Sequence, residues 1–350
     1  MDESYRAYMM DQLKRLLAID SPTGLIEPIQ DYLTSETKAL GFSPRLLRKG
    51  GLFADLGGEG NGLVLTAHAD EIGLIVRFIR PDGLIQVSSV GGLHAFMCDQ
   101  ANLRVYTRGG KIYTGTLRRK NPSLHLMTSE ERNAAASFDT NLFLYLDEDA
   151  QNAEDVAALG IRCGDMISPD PQTVFTESGY IKSRFLDDKT CVAVLLTLMK
   201  YRTEQNVRPS RHVTVYFSLY EEIGHGGSSG YPEDTEEVLA VDIGCCGPRQ
   251  FSGEKKVSIG VMDTAFVYHR AAVDGLIAAA ERAGVAYALD MFLPFYGSDA
   301  NAALRAGFDV RHGLLGPGVL STHGYERTHA QSLVGTFELL RAYVFDAPNA

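Results

Sequence analysis

The chain lacks the features of a disulfide-rich, nucleic-acid-binding or membrane-bound protein. Its five cysteines (Cys98, Cys163, Cys191, Cys245 and Cys246) form an odd set without a CxxC pair, so we expect reduced thiols rather than a disulfide framework or a zinc knuckle. The net charge of −11 argues against nucleic acid and anionic membrane as partners, because both require clustered Lys and Arg.

Long hydrophobic runs are also missing. Apolar stretches such as 192–199 have about half the length of a membrane span. The start, Met1-Asp-Glu-Ser, has neither the basic region nor the apolar core of a secretory signal. We therefore expect a cytoplasmic protein. With 350 residues, 45% of them hydrophobic, the chain can bury a large core in one domain with an insertion or in two domains.

The first 71 residues have an α/β pattern. Apolar spacing predicts a helix over 5–20 and a second one over about 27–40. The runs 52–56 and 63–67 are short, apolar and bounded by glycines, which is typical of strands in a buried sheet. The second of these runs leads directly into His68.

From residue 72 to 167 the pattern changes to short β-like runs separated by Gly, Pro and Asn, which favours a small barrel or sandwich. The runs lie at 73–79, 84–87, 102–106, 111–117 and 142–146. The α/β pattern then returns, with helices over 191–201 and 274–283 and a strand over 213–219. We predict an α/β domain over 1–71 and 168–350, interrupted by an all-β insert over 72–167, because the first strands would otherwise lack their sheet.

Polar residues follow the predicted strands. His68 and Asp70 stand directly after a strand, where open α/β sheets assemble their sites. In an extended chain both side chains point the same way, so the Asp70 carboxylate can accept the second imidazole N–H of His68 and fix its tautomer. Taken alone, this pair is typical of an ordinary loop histidine beside an acid.

Two acidic pairs occupy similar positions. Asp187 and Asp188 precede an apolar helix, where an acid can also serve as a helix cap. Glu221 and Glu222 follow the strand over 213–219, and two adjacent carboxylates leaving a buried strand repel each other unless a cation is present. A bound metal ion would remove that cost.

Asp242 ends another apolar run, and His323 lies in a loop flanked by glycine. Each of these residues has an ordinary structural explanation by itself. Together they form a mixed nitrogen and oxygen set that suits zinc, cobalt or manganese. A two-metal hydrolytic centre follows, in which a bridging water is acidified by the ions and a spare carboxylate takes its proton. The five residues in this set are His68, Asp187, Glu222, Asp242 and His323.

The chain resembles the M42 family of metallo-aminopeptidases over nearly its whole length. The matching motifs, in order, are Ser21-Pro-Thr-Gly, His68-Ala-Asp-Glu-Ile-Gly, Gly160-Ile-Arg-Cys-Gly-Asp, Leu186-Asp-Asp-Lys, Glu221-Glu-Ile-Gly, Gly297-Ser-Asp-Ala and His323-Gly-Tyr-Glu. An ordered series of this kind is far more specific than any single motif.

The resemblance implies a three-layer catalytic domain of the di-zinc peptidase type and two divalent ions per subunit, with zinc or cobalt favoured over manganese. His68 and Asp242 would hold one ion, Glu222 and His323 the other, and Asp187 would bridge them. Glu221 would be the general base and Asp70 would orient His68, with Asp188 as a helix cap or an outer support. These catalytic residues, Glu221 and Asp70, complete the expected site.

The resemblance also implies that the β-rich insert is a PDZ-like or barrel-like dimerisation domain, and that dimers build a homo-oligomer as large as a dodecamer. Short peptides would then be the substrates. Three departures from the family pattern bear on specificity or assembly: Tyr220 replaces a usual Gln, His225-Gly-Gly replaces a usual Leu-Arg-Gly, and the stretch before His323 lacks a usual Arg. We place His225 outside the site.

Several alternatives stay open at this point. Phe292, Leu293, Phe295 and Tyr296 either line a pocket for an apolar or neutral N-terminal side chain or belong to an ordinary core. The activity could instead be that of a metal-dependent deacylase or dipeptidase of the same superfamily, or the protein could be a noncatalytic peptide-binding assembly. An endoglucanase is disfavoured, because glycosidases need two acids flanking the bond and no metal.

Overall fold

The computed structural model describes residues 1–346. It divides into two compact units. The first comprises Met1–Ile19, Ile26–Asp70 and the described residues from Gln172 onward, and the second comprises Asp20–Leu25 and Glu71–Pro171.

The strands and helices are numbered along the chain. The strands are β1 (Arg45–Leu46), β2 (Leu52–Gly57), β3 (Gly62–His68), β4 (Gly73–Ile79), β5 (Ile85–Val90), β6 (Asn102–Tyr106), β7 (Ile112–Arg119), β8 (Leu142–Leu146), β9 (Met166–Pro169), β10 (Val174–Phe175), β11 (Tyr180–Ser183), β12 (Val213–Ser218), β13 (Thr235–Val241), β14 (Gly244–Cys246), β15 (Val257–Asp263), β16 (Tyr287–Phe292), β17 (Arg311–Leu320) and β18 (Glu326–His329). The α-helices are α1 (Glu3–Leu17), α2 (Glu27–Ala39), α3 (Ala95–Cys98), α4 (Ser129–Asn133), α5 (Ala153–Ala158), α6 (Leu186–Glu204), α7 (Arg270–Ala283), α8 (Asp299–Arg305) and α9 (Ala330–Val344). Short 3-10 turns lie at Leu124–Leu126 and Glu221–Ile223.

A large mixed sheet forms the centre of the first unit. Its main path runs β1-β2-β12-β3-β13-β17-β18-β11-β10, with β14, β15 and β16 attached through β17. The strands β12, β3, β13 and β17 are mutually parallel neighbours. Every residue of β3 and β12 is buried, as expected for parallel strands covered on both faces. The carboxyl ends of these four strands therefore share one edge of the sheet.

The helices of the first unit form because their apolar residues recur at helical spacing. In α1, the buried residues Met9, Leu13 and Leu16 share one face, and the side chain of Asp2 caps the first turn. Helix α6 is buried along 186–199, and its stretch 191–199 is apolar on every face apart from Thr197, as expected for a helix inside the core. Both α1 and α9 pack against α6.

The second unit contains a closed barrel of six strands in the order β4-β5-β8-β7-β6-β9. All neighbouring pairs are antiparallel. Alternate side chains such as Leu74, Val76 and Val105 are fully buried and fill the barrel. Because the strand order closes on itself, the barrel has no free edge. The predicted α/β fold with a β-barrel is therefore confirmed. Within residues 1–346, every helix is too short or too polar to span a bilayer.

Candidate metal centre

The shared edge of the parallel strands carries the candidate site. His68 is the last residue of β3, and the register of β3 with β12 places Ser218 beside it. The turn after β12 holds Glu221 and Glu222, and the residue after β13 is Asp242. His323 follows β17 in the loop before β18. The parallel arrangement thus collects residues that are far apart in sequence.

The structure brings these side chains together in two groups that share Asp187 from the start of α6. Ligand atoms of His68, Asp187 and Asp242 lie within 4.8 Å of one another, and so do those of Asp187, Glu222 and His323. His68 Nε2 is 3.1 Å from Asp187 Oδ1. His323 Nε2 is 3.5 Å from Glu222 Oε2 and 3.7 Å from Asp187 Oδ2. Asp187 therefore offers one carboxylate oxygen to each histidine.

The orientation of His68 differs in detail from the expected one. Its Nδ1 lies 3.0 Å from the main-chain carbonyl oxygen of Asp70 and 3.7 Å from the carboxylate Oδ1 of that residue. The carbonyl is therefore the nearer acceptor, and an N–H at Nδ1 leaves Nε2 free to face Asp187. The Asp70 carboxylate instead accepts the main-chain N–H of Glu221, with 3.2 Å between N and O.

Asp188 supports the site from behind. It is fully buried, and its Oδ2 accepts the main-chain N–H of His68 at 3.2 Å. The peptide bond between Asp187 and Asp188 is cis, and both residues depart from helical geometry within α6. Asp188 thus holds the end of β3 and belongs to neither group.

Glu221 and Glu222 leave the same turn in different directions. Glu222 joins the second group and exposes 4% of its side chain. Glu221 exposes 15% of its side chain, and its Oε2 lies 3.9 Å from His68 Nε2. Glu221 therefore stands beside the first group without being one of its members.

Burial shapes the charges of this cluster. Desolvation raises the pKa values of Glu221 and Glu222 well above their usual range, and it raises the pKa of Asp242 to about 8. Burial also opposes the charged form of Asp187, but its hydrogen bond to His68, the nearby charges of His68 and His323 and the hydrogen bond from Thr322 together lower the pKa of Asp187. Among the described residues, the basic ion-pair partners of these carboxylates are histidines.

A crowded, buried set of carboxylates with two imidazoles fits divalent cations. Such ions would supply the positive charge that the cluster needs to release its protons. The mixed nitrogen and oxygen donors suit zinc, cobalt or manganese.

Comparison with known proteins identifies the family. The sequence pattern of the M42 glutamyl aminopeptidase family matches residues 50–339. The chain belongs to the M42 family of aminopeptidases. It is 38% identical over 337 residues to the putative aminopeptidase YhfE of Bacillus subtilis (strain 168), covering 96% of each chain. It is 26% identical over 227 residues to the glutamyl aminopeptidase of Lactococcus lactis subsp. cremoris (strain MG1363), covering 63% of this chain and 61% of that protein.

Solved structures share the fold of this M42 chain. The aminopeptidase APDkam598 from the archaeon Desulfurococcus kamchatkensis superposes with a TM-score of 0.86 at 21% identity, covering 99% of this chain and 96% of that one. The TET1 peptidase of Pyrococcus horikoshii gives a TM-score of 0.85 at 22% identity, covering 97% and 100% of the two chains. The M42 chain is a hydrolase of the aminopeptidase class, and its family implies divalent metal ions.

Two groups that support this M42 site could not be assigned from the sequence. The buried carboxylate of Glu326 accepts the main-chain N–H groups of Asp187 and His323, each at 3.1 Å. The hydroxyl of Thr322 donates to Asp187 Oδ2 at 2.8 Å. The motif around His323 contains Glu326, but only the folded chain brings Asp187 to it.

Asp299 has a similar supporting position. Its Oδ2 accepts hydrogen bonds from the hydroxyls of Thr66, at 2.6 Å, and Ser218. These hydroxyls lie in β3 and β12, shortly before the residues of the site. The backbone of Gly226 and Gly227 packs directly against Asp299, since a Cβ on either glycine would lie 2.4 Å from it.

The four aromatic and apolar residues considered for a substrate pocket take different positions. Phe292 is buried and packs on Tyr296 with 4.9 Å between ring centroids. Leu293 and Phe295 are exposed. The hydroxyl of Tyr296 donates to the carbonyl of Ile243 at 2.6 Å, directly after Asp242 in sequence. Tyr296 therefore contacts the segment that follows Asp242.

Two of the residues that depart from the M42 pattern, Tyr220 and His225, contact each other. The rings of Tyr220 and His225 stack with 5.3 Å between centroids. The ammonium of Lys49 donates to the main-chain carbonyl of His225 and, at 2.9 Å, to Ser228 Oγ. His225 is exposed and joins neither group of candidate ligands.

Proposed function

We propose that the protein is a two-metal aminopeptidase that releases N-terminal residues from short peptides, with Glu221 as the general base. The observation that carries this proposal is the pair of ligand groups that share Asp187, with Glu221 beside them and in neither. His68 and Asp242 would hold one ion, Glu222 and His323 the other, and Asp187 both. Zinc or cobalt is the proposed metal, with manganese as the third choice.

Two divalent ions held by these five residues would supply Lewis-acid activation of the scissile carbonyl and of the attacking water. The Glu221 carboxylate takes the proton of that water and returns it to the leaving amine. Asp70 contributes by accepting the main-chain N–H of Glu221 with its carboxylate and a hydrogen bond from Nδ1–H of His68 with its main-chain carbonyl. Proton transfer and metal binding are thus assigned to different side chains.

We extend the proposal to the domain organisation, the oligomeric assembly and the cellular location of the protein. Residues 1–71 and 168–350 would form the three-layer catalytic domain, and 72–167 an inserted dimerisation domain. Support comes from the barrel in this region and from the TET1 peptidase of Pyrococcus horikoshii, which assembles into a tetrahedron or a large octahedral shell. We place the protein in the cytoplasm, in keeping with its five free cysteines. Light scattering after size exclusion should give a dimer or a multiple of it, and a monomer would contradict this assembly.

Replacing Glu221 tests the catalytic assignment. The Glu221→Gln variant, reconstituted separately with zinc, cobalt and manganese, should retain two ions per chain and lose about 10²- to 10⁴-fold in kcat on aminoacyl amides. Its matched control is Glu222→Gln, the same change one residue later, which should lose one ion. A folded Glu221→Gln variant with the wild-type rate would refute the base assignment.

The same substrates separate the other activities. Free aminoacyl amides should be cleaved and their N-acetylated forms left intact. Cleavage of the acetylated forms alone would indicate a deacylase or dipeptidase of the same superfamily. Fewer than one ion per chain after supplementation, together with no cleavage, would indicate a noncatalytic peptide-binding protein.

A further inference from the structure

One buried carboxylate links two ligand segments that are far apart in sequence, those of Asp187 and His323. Glu326, at the start of β18, exposes 1% of its surface. Its Oε2 accepts the main-chain N–H of Asp187 and its Oε1 that of His323, each at 3.1 Å. Each carboxylate oxygen therefore holds a different candidate ligand by its backbone.

We propose that Glu326 is a positioning residue that holds the second ligand group together, by fixing the backbones of Asp187 and His323 at a set separation. This inference rests on the proposed two-ion site. Glu326 contributes no atom to either ligand group, so it acts through the residues it holds.

The two groups depend on Glu326 to different degrees. In the second group, Asp187 and His323 are both bonded to it. In the first group it reaches only the shared Asp187, while His68 is held independently by Asp188 at 3.2 Å. Asp242 follows the central strand β13 directly, and its own Oδ1 accepts the N–H of Ile243 at 2.7 Å. Loss of Glu326 therefore loosens the second group more than the first.

The chemistry of the side chain makes the substitution informative. In Glu326→Gln one oxygen still accepts an N–H, but the amide NH₂ faces the other N–H donor and that hydrogen bond is lost. Glu326→Asp keeps the charge and both oxygens but is one methylene shorter, so it cannot span the same two donors equally well. Glu326→Gln thus removes the charge at constant side-chain length, and Glu326→Asp shortens the side chain at constant charge.

Direct metal titration is the test. Zinc and cobalt binding to the metal-free full chain is followed by calorimetry, and the bound metal is counted by elemental analysis. In Glu326→Gln the dissociation constant of the second-group ion, identified as the one that His323→Ala removes, should rise about 10- to 100-fold, the usual cost of losing a support behind a metal ligand. The other constant should change less. In a His323→Ala background, which removes the second group, Glu326→Gln should have a smaller effect on the remaining ion.

A matched control separates positioning from general damage to the fold. Asp290 is also a buried carboxylate that accepts main-chain N–H groups, those of Phe251 and Ser252 at 2.8 Å and that of Met291 at 3.0 Å. Asp290→Asn should lower the melting temperature without changing the ratio of the two metal constants. If Glu326→Gln does not fold, Glu326→Asp is titrated in the same way.

The outcomes distinguish this inference from the proposed function. Two ions in the wild-type protein, with an unchanged ratio of constants in the folded Glu326 variants, would overturn the role of Glu326 alone. Equal weakening of both ions would also overturn it. Fewer than two ions in the wild-type protein would overturn the two-metal site and this inference with it.

Discussion

The Oδ1 atom of Asp70 accepts a hydrogen bond from the main-chain N–H of Glu221, with 3.2 Å between the two atoms. This bond joins the residue two places after His68 to the turn that follows β12. Since that turn carries both Glu221 and Glu222, its position fixes the proposed base and one proposed ligand.

Asp70→Ala should therefore reduce catalysis more than metal content. The Glu221 N–H loses its acceptor, which costs about 1–3 kcal/mol when the donor is buried, and we expect kcat to fall about 10- to 100-fold. Asp70→Asn keeps an oxygen acceptor and should have the smaller effect. Steady-state kinetics and elemental analysis check this order, and a wild-type kcat in Asp70→Ala would contradict it.

Metal-free protein should become less stable as pH rises. Burial raises the pKa of Asp242 from 3.8 to about 8, so the folded state binds a proton that the unfolded state has released. The resulting stabilisation is fully present below pH 3.8 and is lost as pH rises through about 8. The free energy of unfolding should therefore fall across this window.

Thermal melts of chelator-treated protein measure this trend. Asp242→Asn removes one titrating group and should flatten the slope. Added zinc or cobalt should oppose the loss, because metal binding strengthens as the ligands lose protons. A melting temperature of the metal-free protein that increases over the same range would contradict the assignment.

Chelators should remove the two ions at different rates. The side chain of His323 is 35% exposed, whereas that of His68 is 3% exposed. The ion of the second group is therefore more accessible, and release followed with a metal-sensitive dye should show two phases. His323→Ala should abolish the fast phase and leave one slowly released ion, while single-phase loss of both ions from wild-type protein would refute the difference.

Gly226→Ala should disturb the proposed base through packing. A Cβ at this position would lie 2.4 Å from Asp299 Oδ1 and 2.9 Å from the main-chain nitrogen of Glu221. We expect a loss of about 1–3 kcal/mol in unfolding free energy together with a lower kcat. Gly253→Ala is the control, because its Cβ meets no atom within 4 Å. Equal behaviour of the two variants in denaturation and kinetics would exclude this mechanism.

Local patterns were sufficient to predict four of the nine described α-helices and eight of the eighteen described strands. The predicted strands at 73–79, 102–106 and 142–146 coincide with β4, β6 and β8, because short β-like runs separated by Gly, Pro and Asn are local signals. The helix predicted over 191–201 begins earlier, at Leu186. The acidic pair Asp187-Asp188 obscured that start, since both residues depart from helical geometry.

The supporting contacts could not be predicted in the same way. The spacing of His68 and Asp70 correctly suggested proximity, yet the carbonyl of Asp70 is closer to the imidazole than its carboxylate is. A choice between two acceptors on one residue depends on how the chain turns after β3. Glu326 and Asp299 depend on strand register across the sheet, and that register is set by contacts remote in sequence.

The parallel strands β3, β12, β13 and β17 also set the order in which the site can come into being. His68 emerges from the ribosome long before His323, and neither group is complete until the intervening strands have paired and α6 has docked. We therefore expect metal uptake to come late in folding, because a ligand group forms only after the strands that carry it have paired.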